Sequence, residues 1–357
     1  MPDLINDLAT SVAGENFFML GQKNAVNCRN GALEKLHHFS YIFQECEVYR
    51  KFKALYTARR LRTFLPVSVK RDKWERFYLS SKILTKLLPQ QQFLRVLSLA
   101  KYRINEVPQS IEGLKHLRYL NFSDTDITCL PEQIGDLYNL QSLLLSGCTK
   151  LSRLPDSLVK LKNLRYLNLS GCTKLSRLPD NLIKLINLRY LNFSRTDITC
   201  VPEKVGNLYN LQSLLLSGCH GLCSLPSSLV KLINLRHLEI TDTPKLKELP
   251  IGIGELTGLQ TLSKVIIGDA NRFKISHLKD LQHLQGRLTI EGLHKVAKST
   301  DAKEANLQQK KGLHDLKMEW SDVFDDSRNE LIESEVLEGL RPFEKLTNIK
   351  ISKYMGI

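Results

Sequence analysis

One spacing recurs through most of this chain and limits what it can become. The pattern L-x-x-L-x-L places its second leucine at Leu97, Leu120, Leu143, Leu167, Leu191, Leu214, Leu238 and Leu262, at intervals of 23, 23, 24, 24, 23, 24 and 24 residues. Looser copies continue at Leu288, Leu316 and Ile349, and HFSYI around Phe39 and LRTFL around Phe64 read as two irregular early ones. A period this short leaves room for one strand and one return segment per unit, about thirteen strands in all.

No single unit can bury its own leucines, so stability has to come from stacking neighbours into a continuous core. The sequence therefore predicts an α/β leucine-rich-repeat solenoid. It has a curved parallel sheet on the concave face, a mostly irregular convex side, and one or more convex helices. After each strand comes a turn, then L-P-x-x-(I/L)-x-x-L-x-N-L crossing back. Pro108, Pro131, Pro155, Pro179, Pro202, Pro226 and Pro250 recur just after the turn, where a fixed φ suits extended backbone and no ladder donor is lost. The segment 295–311, rich in helix formers after a Ser/Thr/Asp start, predicts a convex helix.

Residues 145–168 and 169–192 match at 21 of 24 positions, and the stretch from Asn121 to Cys148 reappears 71 residues later with few changes. A three-repeat block has been duplicated. Cys148, Cys172 and Cys219 fall at one turn position, which Thr125, Thr196 and Thr243 fill elsewhere, so small thiol and hydroxyl groups there are expected to pair with turn backbone groups. Stacked copies point the same way, which argues against a disulfide framework and for a reducing compartment.

Charge is polarised. Of the formal +14, residues 21–120 supply +13, with 20 Lys or Arg against 7 Asp or Glu, whereas 321–345 is acidic. No apolar run reaches the ~18 residues a span needs, and Asp3 and Asp7 spoil a secretory start, so a soluble cytoplasmic chain is expected. The sequons at Asn121, Asn168 and Asn192 lie within predicted strands and read as coincidences of the repeat.

Motifs for chemistry are missing from the sequence. It holds no G-x-x-x-x-G-K-[ST] loop, no G-x-S-x-G, no H-E-x-x-H and no paired C-x-x-C, so neither nucleotide binding nor catalysis is expected. Cys219, His220 and Cys223 form one metal-like group with a single Cys-x-x-x-Cys, and no metal is assigned. The basic residues lack a recognition helix or an aromatic single-strand motif, which disfavours nucleic acid.

The candidate site is a row of exposed positions on the concave strands. Arg95, Arg118, Arg165, Arg189 and Arg236 occupy equivalent places, beside Tyr119, Tyr166, Tyr190 and His237. Guanidinium and ring groups suit an acidic, partly apolar protein partner. The alternative is that a recently duplicated LRYLN simply carries solvated arginines along.

The L-P-x-x-I-G-x-L-x-N-L units, the SGC turns, GLQTLSKVIIG at 258–268 and DAKEANLQQKKGLHDLKMEW at 301–320 together resemble plant coiled-coil nucleotide-binding leucine-rich-repeat disease resistance proteins. The start, MPDLINDLATSVAGE, is similar to the end of that family's nucleotide-binding module and its Met-His-Asp motif. Met1 and Asp3 match, but Pro2 stands where the histidine would and offers no side-chain donor. The resemblance implies protein recognition, of a pathogen effector or a guarded host protein, with early repeats packed on the nucleotide-binding module. ADP or ATP would belong only to that missing module.

The organisation expected is a remnant of a winged-helix end at 1–20, irregular repeats or a cap at 21–92, regular repeats at 93–268, and irregular repeats with a helical insertion at 269–357. Both ends read as interrupted. Three rivals remain. One is a scaffold of the small-GTPase-associated type, whose turns favour Asn over the Cys and Thr here. Another is a non-functional receptor fragment, and the last is the part left after loss of an ATPase module. An extracellular receptor would want a signal peptide, cysteine-paired caps and G-x-I-P turns.

Overall fold

The computed structural model describes residues 16–20, 32–42, 45–67, 76–268, 273–323 and 328–355. The expected nucleotide-binding remnant falls, up to residue 15, outside the described residues. The chain divides into two compact units, Met1–Leu188 and Arg189–Ile357.

In the first unit, seven parallel strands follow one another: β1 (Phe17–Leu20), β2 (His38–Ile42), β4 (Thr63–Val67), β6 (Val96–Ser98), β7 (Tyr119–Asn121), β8 (Ser142–Leu144) and β9 (Tyr166–Asn168). A side pair, β3 (Cys46–Glu47) with β5 (Tyr78–Leu79), lies apart from them. The register stacks Phe39 on Phe64, Phe64 on Leu97, then Leu97, Leu120, Leu143 and Leu167 in turn. All six are fully buried, so the repeat spacing read from the sequence is the core itself. In the early copies aromatic rings replace leucine. Phe39, Tyr41, Phe52 and Phe64 pack with centroids 4.9–6.1 Å apart, and the buried Tyr41 and Tyr102 hydroxyls meet at 2.8 Å.

The second unit holds two parallel sheets. One contains β10 (Tyr190–Asn192), β11 (Ser213–Leu215), β12 (His237–Glu239) and β13 (Thr261–Leu262). The other contains β14 (Lys264–Ile266), β15 (Gln285–Glu291), β16 (Gly312–Glu319) and β17 (Asn348–Ser352). The step between them is one residue long. Leu262 still pairs with Leu238, but the next inward residue is Val265, opposite Ile290, and the intervening Ser263 is buried. Its Oγ accepts from the Ile240 amide at 2.7 Å, which repairs the broken ladder. Lys264, at the position a repeat leucine would fill, is itself buried, and its ammonium donates to the Thr243 carbonyl at 3.2 Å.

On the return side each regular repeat makes a short 3-10 turn, such as Glu132–Asp136 and Asp156–Lys160, where the sequence predicted irregular backbone. Six of the seven repeat prolines sit directly before one, and every repeat proline's carbonyl receives the amide three residues on, as Pro131 does from Ile134 at 3.0 Å. The glycine after Ile in L-P-x-x-I-G permits close stacking: a Cβ on Gly135 would lie 2.5 Å from the Ser157 carbonyl. The asparagine of L-x-N-L zips repeats together. Asn139 donates to Lys115 O, Asn163 to Tyr138 O, Asn187 to Lys162 O and Asn234 to Tyr209 O, all at 2.7–2.9 Å.

The predicted convex helix is narrower than its window: Ser299–Glu304 is α-helical and Leu307–Gln309 a 3-10 turn. A second helix, Glu330–Gly339, was not expected, because acidic residues mask its apolar side. Asn329 caps it, and Glu330 and Glu333 in the first turn favour its N-terminal dipole. Gly339 packs on Ala302 of the earlier helix. Among the described residues no helix is long and apolar enough to cross a membrane.

Candidate recognition surface

The predicted arginines lie at the lip of each sheet, one residue before the strands. In the first unit, main-chain amides link consecutive positions of this lip. Arg62 N donates to His37 O, Arg95 N to Arg62 O, Arg118 N to Arg95 O, Gln141 N to Arg118 O and Arg165 N to Gln141 O, at 2.6–2.9 Å. Side chains there are spaced by one strand step, about 4.8 Å. Arg62 and His37 belong to this row and were missed. Arg62 is the second residue of the early copy LRTFL, at the same place in its repeat as Arg95 in LRVLSL.

Arg95, Arg118 and Arg165 are exposed in the first unit, and Arg189 and Arg236 in the second. Among the described residues no carboxylate pairs with any of them. In water and salt the repulsion along such a row is modest, yet no ion pair among the described residues neutralises it.

The rings are set deeper than the arginines. Tyr119, Tyr166, Tyr190 and His237 open their strands and are half-buried, lying on the sheet as a floor. Asn121 Nδ2 donates to the Tyr119 hydroxyl at 3.4 Å and Asn192 Nδ2 to that of Tyr190 at 3.1 Å. His237 Nδ1 meets Thr261 Oγ1 at 2.8 Å, as His38 meets Thr63 at 3.0 Å in the first unit. In register, Tyr119, Ser142 and Tyr166 alternate large, small, large, as do Tyr190, Ser213 and His237. The result is a ridged floor beneath flexible guanidiniums. The asparagines also close the strands. Asn121, Asn168 and Asn192 each accept from the amide two residues on, at 2.8–3.0 Å, so the sequon side chains are engaged in the fold.

A second surface, unforeseen from sequence, is a cleft of about 580 Å³ over the later sheet of the second unit. Strand register sorts its side chains into rows: Arg287, Asp315 and Asn348; then Thr289, Lys317 and Lys350; then Glu291 and Glu319. Arg287 reaches Asp315 at 3.3 Å and Asn348 Nδ2 donates to it at 2.7 Å; these contacts, the Asn348 hydrogen bond first, hold the Asp315 carboxyl below its ordinary range. Burial pushes Lys264 down, and its ammonium meets Glu291 at 3.4 Å. Burial works to raise Glu319, but the ammonium groups of Lys317 and Lys353 prevail and lower it. The signal lay in the alternation of charges along QGRLTIE and GLHDLKME, which the acidity of the neighbouring segment obscured.

The metal-like group does not assemble. Cys219 Sγ donates to Phe193 O at 3.1 Å, Cys223 Sγ donates to Gly221 O, and His220 pairs with Asp242 at 2.9 Å. Burial raises the Cys148, Cys172 and Cys219 thiols above their ordinary range, which suits packing and not nucleophilic work. Among the described residues no group of three or more His, Cys, Asp or Glu is placed to hold a metal ion, and none forms a catalytic constellation.

Comparison with known proteins agrees with the repeat fold. Residues 77–184 match the family model of a leucine-rich repeat region, and residues 275–357 match that of R13L1/DRL21 leucine-rich repeats. The Arabidopsis thaliana protein At3g14460, named for disease resistance, is 36% identical across the whole of this chain, which covers 20% of that protein. Disease resistance protein RGA2 of Solanum bulbocastanum is 39% identical over 29% of this chain and 10% of its own length. The chain thus spans a fifth or less of these relatives. Among solved structures, a leucine-rich-repeat protein of Leptospira interrogans shares the fold, with a TM-score of 0.66 at 23% identity over 96% of this chain and 86% of that one. Repeat geometry, family models and similarity along the whole of this chain converge: the chain is a leucine-rich-repeat domain closely related to the plant disease resistance proteins of the nucleotide-binding leucine-rich-repeat type.

Proposed function

We propose that this chain is the protein-recognition portion of a plant intracellular immune receptor, acting in the cytoplasm. Its sheet face binds a pathogen effector or a guarded host protein and restrains the receptor by packing on its nucleotide-binding module. The observation that carries this reading is the row of unneutralised arginines above a half-buried aromatic floor, repeated in both units. An acidic protein surface would relieve the like-charge contacts and use the rings as anchors. The chain itself performs no chemistry in this account.

Hydrogen exchange tests it. Mixed with a nucleotide-binding module of such a receptor, the chain should show slowed exchange at the lip amides and the tyrosine strands. Protection confined to the 3-10 turns of the return side would overturn the assignment of the face.

A further inference from the structure

The start of the first unit holds a pocket of about 490 Å³ lined by His37, Arg60, Arg62, Phe93, Arg95 and His116. Its polar lining is entirely basic, with three guanidiniums and two imidazoles. Among the described residues no carboxylate pairs with Arg60, Arg62 or Arg95, so nothing there satisfies their charge. Phe93 and His116 stack nearly parallel, 5.7 Å apart at 16°, and both are exposed at the mouth. The lip ladder fixes the backbone of His37, Arg62 and Arg95 on adjacent strands, so three of the basic groups are pre-positioned.

We propose that this pocket binds a phosphate monoester on a side chain of a protein partner. Planar guanidiniums match a phosphate dianion with paired N–H donors, and several at one strand spacing can grip it together. The stacked Phe93–His116 pair gives a ring face beside the phosphate, which favours an aromatic ester over an aliphatic one. Within the pocket, burial, and then Arg62 and Arg60, hold the His37 imidazole below its ordinary pKa. This rests on the reading of the chain as a protein-recognition module and adds a modification state to what it recognises.

The test is calorimetry on the full chain at physiological salt with four blocked pentapeptides, Gly-Gly-X-Gly-Gly, where X is phosphotyrosine, phosphoserine, tyrosine or glutamate. Phosphotyrosine should bind at least tenfold more tightly than tyrosine or glutamate, with phosphoserine between. Arg62→Gln with Arg95→Gln should weaken phosphotyrosine binding at least tenfold, and Phe93→Ala should erase the preference over phosphoserine. Circular dichroism melts check that the variants fold. Equal binding of phosphotyrosine and glutamate, or full affinity in the double glutamine variant, would overturn the proposal. Neither result touches docking of the nucleotide-binding module, which is read separately at Arg165, Arg189 and Arg236.

Discussion

Cys148 Sγ and Thr125 Oγ1 lie 3.4 Å apart and donate to one acceptor, the Phe122 carbonyl, at 3.1 and 2.8 Å. The same arrangement recurs where Cys219 and Thr196 share Phe193 O. Thiol and hydroxyl are thus interchangeable rungs that satisfy turn carbonyls from one repeat to the next. Native alkylation followed by mass mapping should modify the exposed Cys46, Cys129, Cys200 and Cys223 and spare Cys148, Cys172 and Cys219. Cys172→Ala should cost about 1–2 kcal/mol for the lost bond and small void, and Cys172→Thr less. Rapid labelling of Cys172 in the folded chain would contradict the ladder.

The residue before each rung is left-handed. Gly147, Gly171 and Gly218 have φ of 71–74°, and where the repeat lacks glycine, Asp124, Arg195 and Asp242 still hold φ of 53–58°. Such a conformation costs an L residue about 1–2 kcal/mol. Arg195→Gly should therefore stabilise by about 0.5–1 kcal/mol after the extra chain entropy of glycine is charged against it. Gly147→Ala should destabilise by more, since its Cβ would collide with Asp124 Oδ1. Urea denaturation of the two variants checks both signs.

Lys310 is buried, and its ammonium caps the end of the 3-10 turn Ile275–Asp280 by donating to Leu278 O at 2.7 Å and Leu281 O at 2.9 Å. Desolvation pulls its pKa down to about 8 from 10.5. The unfolded chain therefore binds more protons than the folded one between those values, and stability rises with pH across that window. Relative to Lys310→Met, the parent should gain stability from pH 7.5 to 9.5, below the range where the buried tyrosines intervene. A constant difference between the two denaturation curves would contradict the shift.

Arg328 and Glu333 form a two-pronged pair at 2.7 Å, with side chains only 4% and 5% exposed. Arg328 also donates to Lys353 O, and Glu333 accepts from Met355 N, so the pair ties the helix start to the segment just past the following strand. Removing one partner leaves a buried charge, so Glu333→Ala should cost about 3–5 kcal/mol. Thermal melts should show the double variant Arg328→Met, Glu333→Leu recovering part of that loss.

The repeats were legible because each inward leucine recurs at fixed spacing, and all thirteen marked positions, from Phe39 to Ile349, lie in strands. The strand at Phe17–Leu20 was not, because it carries no leucine spaced like the others. The step at Ser263 was hidden too, since a one-residue shift looks like noise until the register of Val265 with Ile290 is seen. At the candidate site, sequence found which residues are equivalent but not how they are held. That Tyr119 and Tyr190 are pinned by the asparagines two residues on, while the arginines stand free of carboxylates, depends on strand geometry. The charge rows around Lys317 and Glu319 join strands 28 or more residues apart and could not be read along the chain.

The most direct test of the recognition surface is the affinity of the full chain for a nucleotide-binding module of a coiled-coil immune receptor, measured before and after Arg165→Glu, Arg189→Glu and Arg236→Glu are combined. If the arginines meet an acidic partner, the triple variant should bind at least tenfold more weakly, and the parent's affinity should fall with rising salt. Unchanged affinity in the triple variant would make these arginines solvated repeat positions and contradict the account.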